Sequence, residues 1–376
     1  MKKFAKMSLV AAVAVAGLNS TASATDLSEA IKGVDISGQF RLRYEDSATE
    51  TSGVANSTNS NKSDVEVEIT AKVPVNDNVT AVFKIDNAND DTQAVGKGAV
   101  NIEDYYFSYV NGAATVNFGQ QNIPGRLTDA SQGDGVVALY NAGAFTVGAA
   151  GFITQSASDT SAGAGSYDGN DLYSVLAMGS VGPVALSAQY ADVVDLGDSY
   201  NITADATVGP VKVGVEYSET DLDGNSNEYE TFKAYVSGSF GPLSAKLSYG
   251  KTGDQGSGSY HAVASGNYAA SAETPAEFLL WQTGSATKAK FDVVALDASY
   301  AVSDKLSVRA AYANGEYYDA TEAVMTDISE VLGQVSYKMS SNLNAYFRIS
   351  QYEKDFKDTS PDTDKTRGRI EVAYTF

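Results

Sequence analysis

The sequence predicts an all-β fold, a transmembrane antiparallel β-barrel of 18 strands with short periplasmic turns and long extracellular loops. Apolar and polar residues alternate along most of the chain, which is the side-chain period of a β-strand. Short and long connections between the strands also alternate. Aromatic residues gather at strand ends on the apolar face, where a barrel meets the two membrane interfaces. Together these patterns favour a closed membrane sheet over a secreted β-sandwich, which would show the alternation alone.

The N-terminus has the organisation of a secretory signal peptide. Three lysines in the first six residues precede the apolar run Leu9–Leu18, and Ala22-Ser23-Ala24 fits a small-residue cleavage site. The run is about half the ~20 residues that a spanning helix needs, which argues against a membrane anchor. We therefore expect residues 1–24 to be removed, residues 25–33 to form a short periplasmic segment and residues 34–376 to form the barrel.

Eighteen alternating segments follow, and the one from Val65 to Val73 shows their character. Its apolar side chains interleave with Glu66, Glu68 and Lys72, so one face of the strand is apolar and the other polar. The segments lie near 34–45, 64–74, 79–87, 102–110, 114–121, 136–140, 144–154, 172–181, 184–191, 200–208, 211–218, 229–240, 243–251, 291–301, 306–313, 328–338, 343–352 and 367–376.

The connections between these segments explain how the sheet can close. Eight are tight turn sequences such as Asn111-Gly112 and Gly182-Pro183, and the nine others are longer and polar, with 252–290 the longest. Both chain ends fall on the tight side, so the first strand is expected to pair with the last. Closure is required because an open sheet edge cannot be satisfied in hydrocarbon.

The composition excludes several classes of function. A net charge of −21 leaves too little basic surface for nucleic-acid binding, and the lack of Cys removes thiolate catalysis and Cys-based metal sites. The chain has one histidine, His261 in a long loop, and no nucleophile elbow, so an enzyme is not expected and no cofactor is required.

Three stretches resemble the Campylobacter-type major outer membrane protein, a porin family. They are DLSEAIKGVDISGQFRLRYE at 26–45, GQQNIPGRLTDASQGDG at 119–135 and the alternating last strand that ends on Phe376. The resemblance implies a homotrimeric general porin with a preference for cations, placed in a Gram-negative outer membrane among lipid and lipopolysaccharide. It also implies that the outer-membrane assembly machinery recognises the final Phe376.

The same resemblance implies that loop three, residues 122–135, folds into the lumen and narrows it with acidic side chains. Asp134 matches the constriction acid of the family, and Asp129 matches a second acidic position. The family can hold calcium on such acids, which would place Ca²⁺ at Asp134. Arg126 departs from the family pattern and would weaken a preference for cations.

The polar strand faces supply further candidates for the constriction. Alternation points six arginines inward on the first, fifteenth, seventeenth and eighteenth strands. Three of them lie about six to eight residues from the tight-turn side, which at ~3.3 Å per residue predicts a similar height. Pairing of these charges across strands, without a role at the neck, is the alternative. The six are Arg41, Arg43, Arg309, Arg348, Arg367 and Arg369, of which Arg41, Arg348 and Arg369 are the three expected to be level.

These observations favour an outer-membrane porin that lets ions and small hydrophilic solutes diffuse passively through a water-filled channel. A substrate-selective channel is one alternative, and it would need specific lumen residues. A barrel that anchors a surface adhesin is the other, since long loops are compatible with it.

Overall fold

A computed structural model describes residues 33–55, 57–87, 100–128, 131–155, 170–224, 228–256, 281, 283, 288–318 and 324–376. The leader, residues 25–32 of the expected periplasmic segment, Asp129 and His261 lie outside the described residues. Among the residues that are described, no helix is long and apolar enough to cross a membrane.

Eighteen antiparallel strands form one closed sheet, which confirms the predicted fold class. Strand β1 pairs with β2 on one side and with β18 on the other, so the sheet has no free edge. The strands are β1 Asp35–Thr51, β2 Thr58–Pro74, β3 Val79–Asp86, β4 Asn101–Asn111, β5 Ala114–Asn122, β6 Gln132–Asn141, β7 Phe145–Gln155, β8 Leu172–Val181, β9 Val184–Val193, β10 Gly197–Val208, β11 Val211–Leu222, β12 Glu228–Phe240, β13 Leu243–Thr252, β14 Ala289–Ala301, β15 Leu306–Tyr318, β16 Met325–Lys338, β17 Leu343–Phe356 and β18 Thr363–Thr375.

The two faces of the sheet divide as the alternation predicts. On β1, Ile36, Phe40 and Tyr44 are exposed on the outer face, and Arg41 and Arg43 between them point into the lumen. An outer surface of large apolar side chains is unstable in water and suits hydrocarbon. The barrel therefore crosses a membrane with its polar face enclosed.

Tyrosines that bond to carboxylates mark the extracellular rim of the outer face. The Tyr249 hydroxyl donates to Asp292 at 3.0 Å, and the Tyr217 hydroxyl donates to Glu219 at 2.7 Å. A tyrosine ring can remain in the apolar band while its hydroxyl reaches the wet interface. The acids of these pairs thus lie above the hydrocarbon, at the level of lipid head groups.

The seam between β1 and β18 closes the barrel through both backbone and side chains. Gly38 N donates to Phe376 O at 3.0 Å, and Phe376 N donates back to Gly38 O at 3.1 Å. A Cβ on Gly38 would lie 2.7 Å from Cζ of the Phe376 ring, so glycine is required for this approach. Higher on the seam, Arg43 Nε donates to Glu371 Oε2 at 2.7 Å.

The strands extend further on the extracellular side than the sequence predicts. Strands β9 and β10 are joined by residues 194–196 alone, and β5 and β6 by residues 123–131. Polar residues at the strand ends continue the backbone hydrogen-bond ladder outside the hydrocarbon, where no apolar alternation is needed to hold them. Loop three accordingly spans 123–131 instead of 122–135.

Candidate functional site

The described residues of loop three, 123–128 and 131, lie inside the barrel against the inner face of β6–β9. Its Ile123 and Leu127 side chains are almost fully buried there, with Leu127 1% exposed. An apolar patch facing a water-filled lumen is costly, and burying a leucine of this size stabilises by ~1.5–3 kcal/mol. The wall residues that receive the loop are Val137, Ala150, Phe152, Leu172, Ala191 and Val193.

Gln189 of β9 anchors the polar backbone of the loop. Its Oε1 accepts from Leu127 N at 2.9 Å, and its Nε2 lies 3.2 Å from Pro124 O and 3.3 Å from Thr128 Oγ1. Gly125 has a φ of +124°, and a Cβ there would come within 2.1 Å of the Gln189 amide. The Pro-Gly step therefore brings the backbone close enough for one side chain to hold it.

Arg126, the unexpected cation of loop three, is neutralised by a carboxylate on the facing wall. Its Nη2 and Nε donate to the two oxygens of Glu216 at 2.7 and 3.1 Å, in the bidentate geometry that guanidinium groups favour. Asn201 donates to the same carboxylate at 3.0 Å, and Lys233 lies 4.0 Å from it. The loop thus reaches from β6 to β11, where the positive charge of Arg126 is balanced by Glu216.

The predicted inward arginines all line the lumen, and acids accompany most of them on the same wall. Glu45 accepts from Arg367 Nε at 2.7 Å and from Arg369 Nε at 2.8 Å. Arg41 contacts Glu66, and Arg43 lies 3.5 Å from Asp64 in addition to its bond with Glu371. Arg309 donates to Asp297 at 2.9 Å. These four sets form a wall of mixed charge. For most of the six arginines the structure therefore shows the alternative arrangement, in which the inward charges pair across strands.

The strand register shows which arginines are neighbours. Arg348 stands directly opposite Arg369 across β17 and β18, and Gln334 connects it to Arg309 on the next strands. Arg41 pairs with Ala373, four residues nearer the periplasmic end than Arg369. The expected level row therefore contains Arg348 and Arg369 but not Arg41, because strand tilt displaces the register between neighbours.

Sequence comparison identifies the family of this chain. A family model described as the Campylobacter major outer membrane protein matches residues 1–376, the whole chain. The chain belongs to this family. It is a porin of the outer membrane.

Solved structures show that the major outer membrane protein fold is shared more widely. OccK9 (OpdG) of Pseudomonas aeruginosa matches with a TM-score of 0.68 at 14% identity, covering 92% of this chain and 100% of that one. OpdQ of P. aeruginosa gives 0.69 at 12%, covering 93% and 99%. A BenF-like porin of Pseudomonas fluorescens Pf-5 gives 0.68 at 14%, covering 92% and 99%. None of the curated proteins matches the chain.

Asp134 lies elsewhere than the resemblance to the major outer membrane protein implied. It belongs to β6, where it pairs with Gln120, and it accepts a hydrogen bond from the exposed Tyr105 at 3.4 Å. It therefore shares the outer face with Phe118 and Val136, because side chains two residues apart point the same way. The strand begins at Gln132, earlier than predicted, which removes Asp134 from the loop.

Replacing Asp134 by asparagine is expected to leave ion selectivity unchanged. The carboxylate faces away from the lumen, so the loss of its charge does not alter the field across the pore. Asp129→Asn tests the second acid of the resemblance, whose position lies outside the described residues. The reversal potential of the channel in a KCl gradient measures both, and a shift toward anions in Asp134→Asn would contradict the outward placement.

One group of carboxylates in this porin has the spacing of a metal site. Oxygens of Glu68, Asp86 and Glu103 lie within 4.8 Å of one another, and among the described residues Asp134 does not belong to such a group. Lys84 Nζ lies 2.5 Å from Glu103 and 3.3 Å from Glu68. The ammonium group thus already supplies a positive charge to these acids, and Ca²⁺ with its six to eight oxygen ligands would have to displace it.

No sequence pattern predicts the place of Trp281 beside the porin wall. Trp281 comes from the long connection between β13 and β14, and its ring lies over arginines of β17 and β18. No periodicity marks a docking residue inside an irregular loop, so its position follows only from the tertiary structure.

Proposed function

We propose that this porin conducts ions and small hydrophilic solutes by passive diffusion and that it prefers cations. The lumen has polar walls, and acids accompany most of its arginines. The full chain carries 47 acidic against 26 basic residues, and an outer face in contact with hydrocarbon excludes most of these charges. An excess of acids along a water-filled path concentrates cations.

The observation that carries the preference is the bidentate pair of Arg126 and Glu216. Arg126 is a fixed positive charge on the inserted loop, and by itself it would weaken a preference for cations. Glu216 binds it through two hydrogen bonds, and the Glu216 side chain is only 10% exposed. The pair presents little net charge to a passing ion, so the remaining acids determine the sign of the field.

Replacing Glu216 by glutamine is expected to shift the reversal potential toward anions. The substitution leaves Arg126 and Lys233 without their shared counter-charge inside the lumen. Planar-bilayer recording in a KCl gradient measures the effect. Glu219→Gln is the matched control, because Glu219 lies on the same strand but bonds to tyrosines of the outer face. Equal shifts in both variants, or a wild-type channel that prefers anions, would refute the proposal.

The assembly features implied by the family resemblance also belong to this proposal. We infer a homotrimer, a leader removed after Ala24 and recognition of Phe376 by the assembly machinery. Cross-linking in the native membrane tests the trimer, and the mass of the mature N-terminus tests the cleavage site. Phe376→Ser should reduce the assembled fraction, which heat-modifiable gel migration measures.

A substrate-selective channel is the second candidate, and the neighbouring Arg348 and Arg369 favour it. Their two guanidinium groups lie directly opposite each other on β17 and β18 and together could bind an anionic solute in the lumen. Current through such a channel would saturate with the solute or be blocked by it. A conductance that rises linearly with concentration for all small salts would leave only general diffusion.

A further inference from the structure

A second apolar cluster lies on the inner wall of β14–β16, away from loop three. Most of its side chains are 0–3% exposed although their strand positions point toward the lumen. Side chains on a wet wall are buried to this degree only where something covers them. Loop three covers the first cluster in this way. The members of the second are Phe291, Val293, Ala295, Ala313, Tyr317 and Ile328.

Loop seven, residues 253–288 between β13 and β14, reaches this wall with its C-terminal end. Lys288 places its ammonium group 5.2 Å from the ring centres of both Phe291 and Tyr317. A cation over two aromatic faces is favourably placed, and its methylene groups add apolar contact. The end of the loop therefore packs on the inner face instead of standing above the barrel.

Thr283 fixes the same end of the loop by hydrogen bonds to a buried acid. Its backbone N and its Oγ1 both donate to Glu330 Oε2 at 2.9 Å, and the other carboxylate oxygen accepts from Ser350 Oγ at 2.6 Å. Glu330 is 0% exposed and Thr283 is 2% exposed. Charge-assisted bonds at such a buried acid hold the loop to β16 with defined geometry.

Trp281, two residues earlier, lies over three guanidinium groups of the lumen wall. Its ring centre is 4.3 Å from Cζ of Arg367, 5.0 Å from Arg369 and 5.2 Å from Arg348. The indole face carries negative potential, so it attracts these groups. Arg348 differs from the other two because its Nε donates to the neutral Gln334 at 2.8 Å.

We propose that the part of loop seven that carries Trp281, Thr283 and Lys288 is a second insertion into the lumen and that Trp281 determines ion selectivity by covering the arginine cluster. An anion in the pore meets the ring face where it would otherwise meet guanidinium N–H donors. The ring also occupies space in the lumen next to these arginines. The selectivity role rests on the proposed ion conduction, whereas the docking of the loop does not.

Recording from single channels tests the selectivity role. Trp281→Leu keeps apolar bulk but removes the aromatic face, and Trp281→Tyr keeps an aromatic face. We expect Trp281→Leu to raise conductance and to shift the reversal potential in a KCl gradient toward anions, with Trp281→Tyr between it and the wild type. In an Arg348→Gln background the shift from Trp281→Leu should shrink, because the two residues act on one another.

Fluorescence tests the docking without any current. Trp281 is the chain's one tryptophan, so emission from the purified barrel reports its surroundings alone. Thr283→Pro removes both donors to Glu330, and we expect red-shifted emission and stronger acrylamide quenching. Heat-modifiable gel migration shows that the barrel of this variant is still folded.

Each other outcome overturns a defined part of the proposal. Unchanged emission in folded Thr283→Pro means that these bonds do not dock the loop. If emission changes in Thr283→Pro but the reversal potential of Trp281→Leu equals that of the wild type, the loop docks and Trp281 has no role in selectivity. A wild-type barrel that conducts no ions overturns the proposed function and the selectivity role together, and the emission result then still decides the docking.

Discussion

Replacing Gln189 by leucine is expected to release loop three from the wall and to raise the single-channel conductance. The substitution keeps the side-chain volume but removes the acceptor for Leu127 N and the donor near Pro124 O. Leaving buried backbone groups without partners costs ~1–3 kcal/mol each. A loss of about 2 kcal/mol shifts the ratio of docked to released loop about 30-fold.

The measurement is conductance in a planar bilayer, with the variance of the open-channel current as a second indicator of loop motion. Gln351→Leu is the matched control, since Gln351 is an exposed glutamine on β17, far from loop three. Gly125→Ala should act in the same direction as Gln189→Leu, because its Cβ would collide with the Gln189 amide. If conductance stays at the wild-type value in both variants, loop three does not limit the pore.

Replacing Glu45 by glutamine is expected to weaken the closure of the barrel and to favour anions. Glu45 is the β1 acid that bonds to both Arg367 and Arg369 on β18, and its side chain is 10% exposed. Removing one partner of a buried ion network costs ~3–5 kcal/mol, and access to lumen water reduces that value. A loss of about 2–3 kcal/mol is therefore reasonable for this position.

Heat-modifiable gel migration measures the unfolding temperature, and the reversal potential measures the selectivity. Glu50→Gln is the matched control, because Glu50 is exposed near the extracellular end of the same strand. It changes the formal charge equally but keeps the bonds of Glu45 to Arg367 and Arg369. An unfolding temperature that falls no further in Glu45→Gln than in Glu50→Gln would show that the pair contributes nothing to closure.

The fold was predictable from the sequence because its signal is local and repeated. Each strand carries its own alternation, as Val65 to Val73 does, and closure follows from the cost of an edge in hydrocarbon. The inward arginines were predictable for the same reason. Their partners were not, because the register between strands decides that Glu45, and not Arg41, stands opposite Arg369.

The positions that the sequence could not predict depend on a strand boundary or on loop docking. Asp134 reaches the outer face because β6 starts at Gln132. A shift of one residue in a strand reverses the face of a side chain, and turn sequences do not fix such boundaries that closely. Leu127 and Trp281 acquire their roles only when their loops meet walls formed by distant strands.

The seam that joins Gly38 to Phe376 has a consequence for the time course of assembly. These bonds connect the first strand to the final residue, so the ladder between β1 and β18 can form only after the last strand is synthesised. Contacts between residues so distant in sequence make folding slow, because loop entropy is lost before they form. Until then the edges of β1 and β18 keep unpaired backbone groups that can pair with another chain. Insertion is therefore expected to be a single late event.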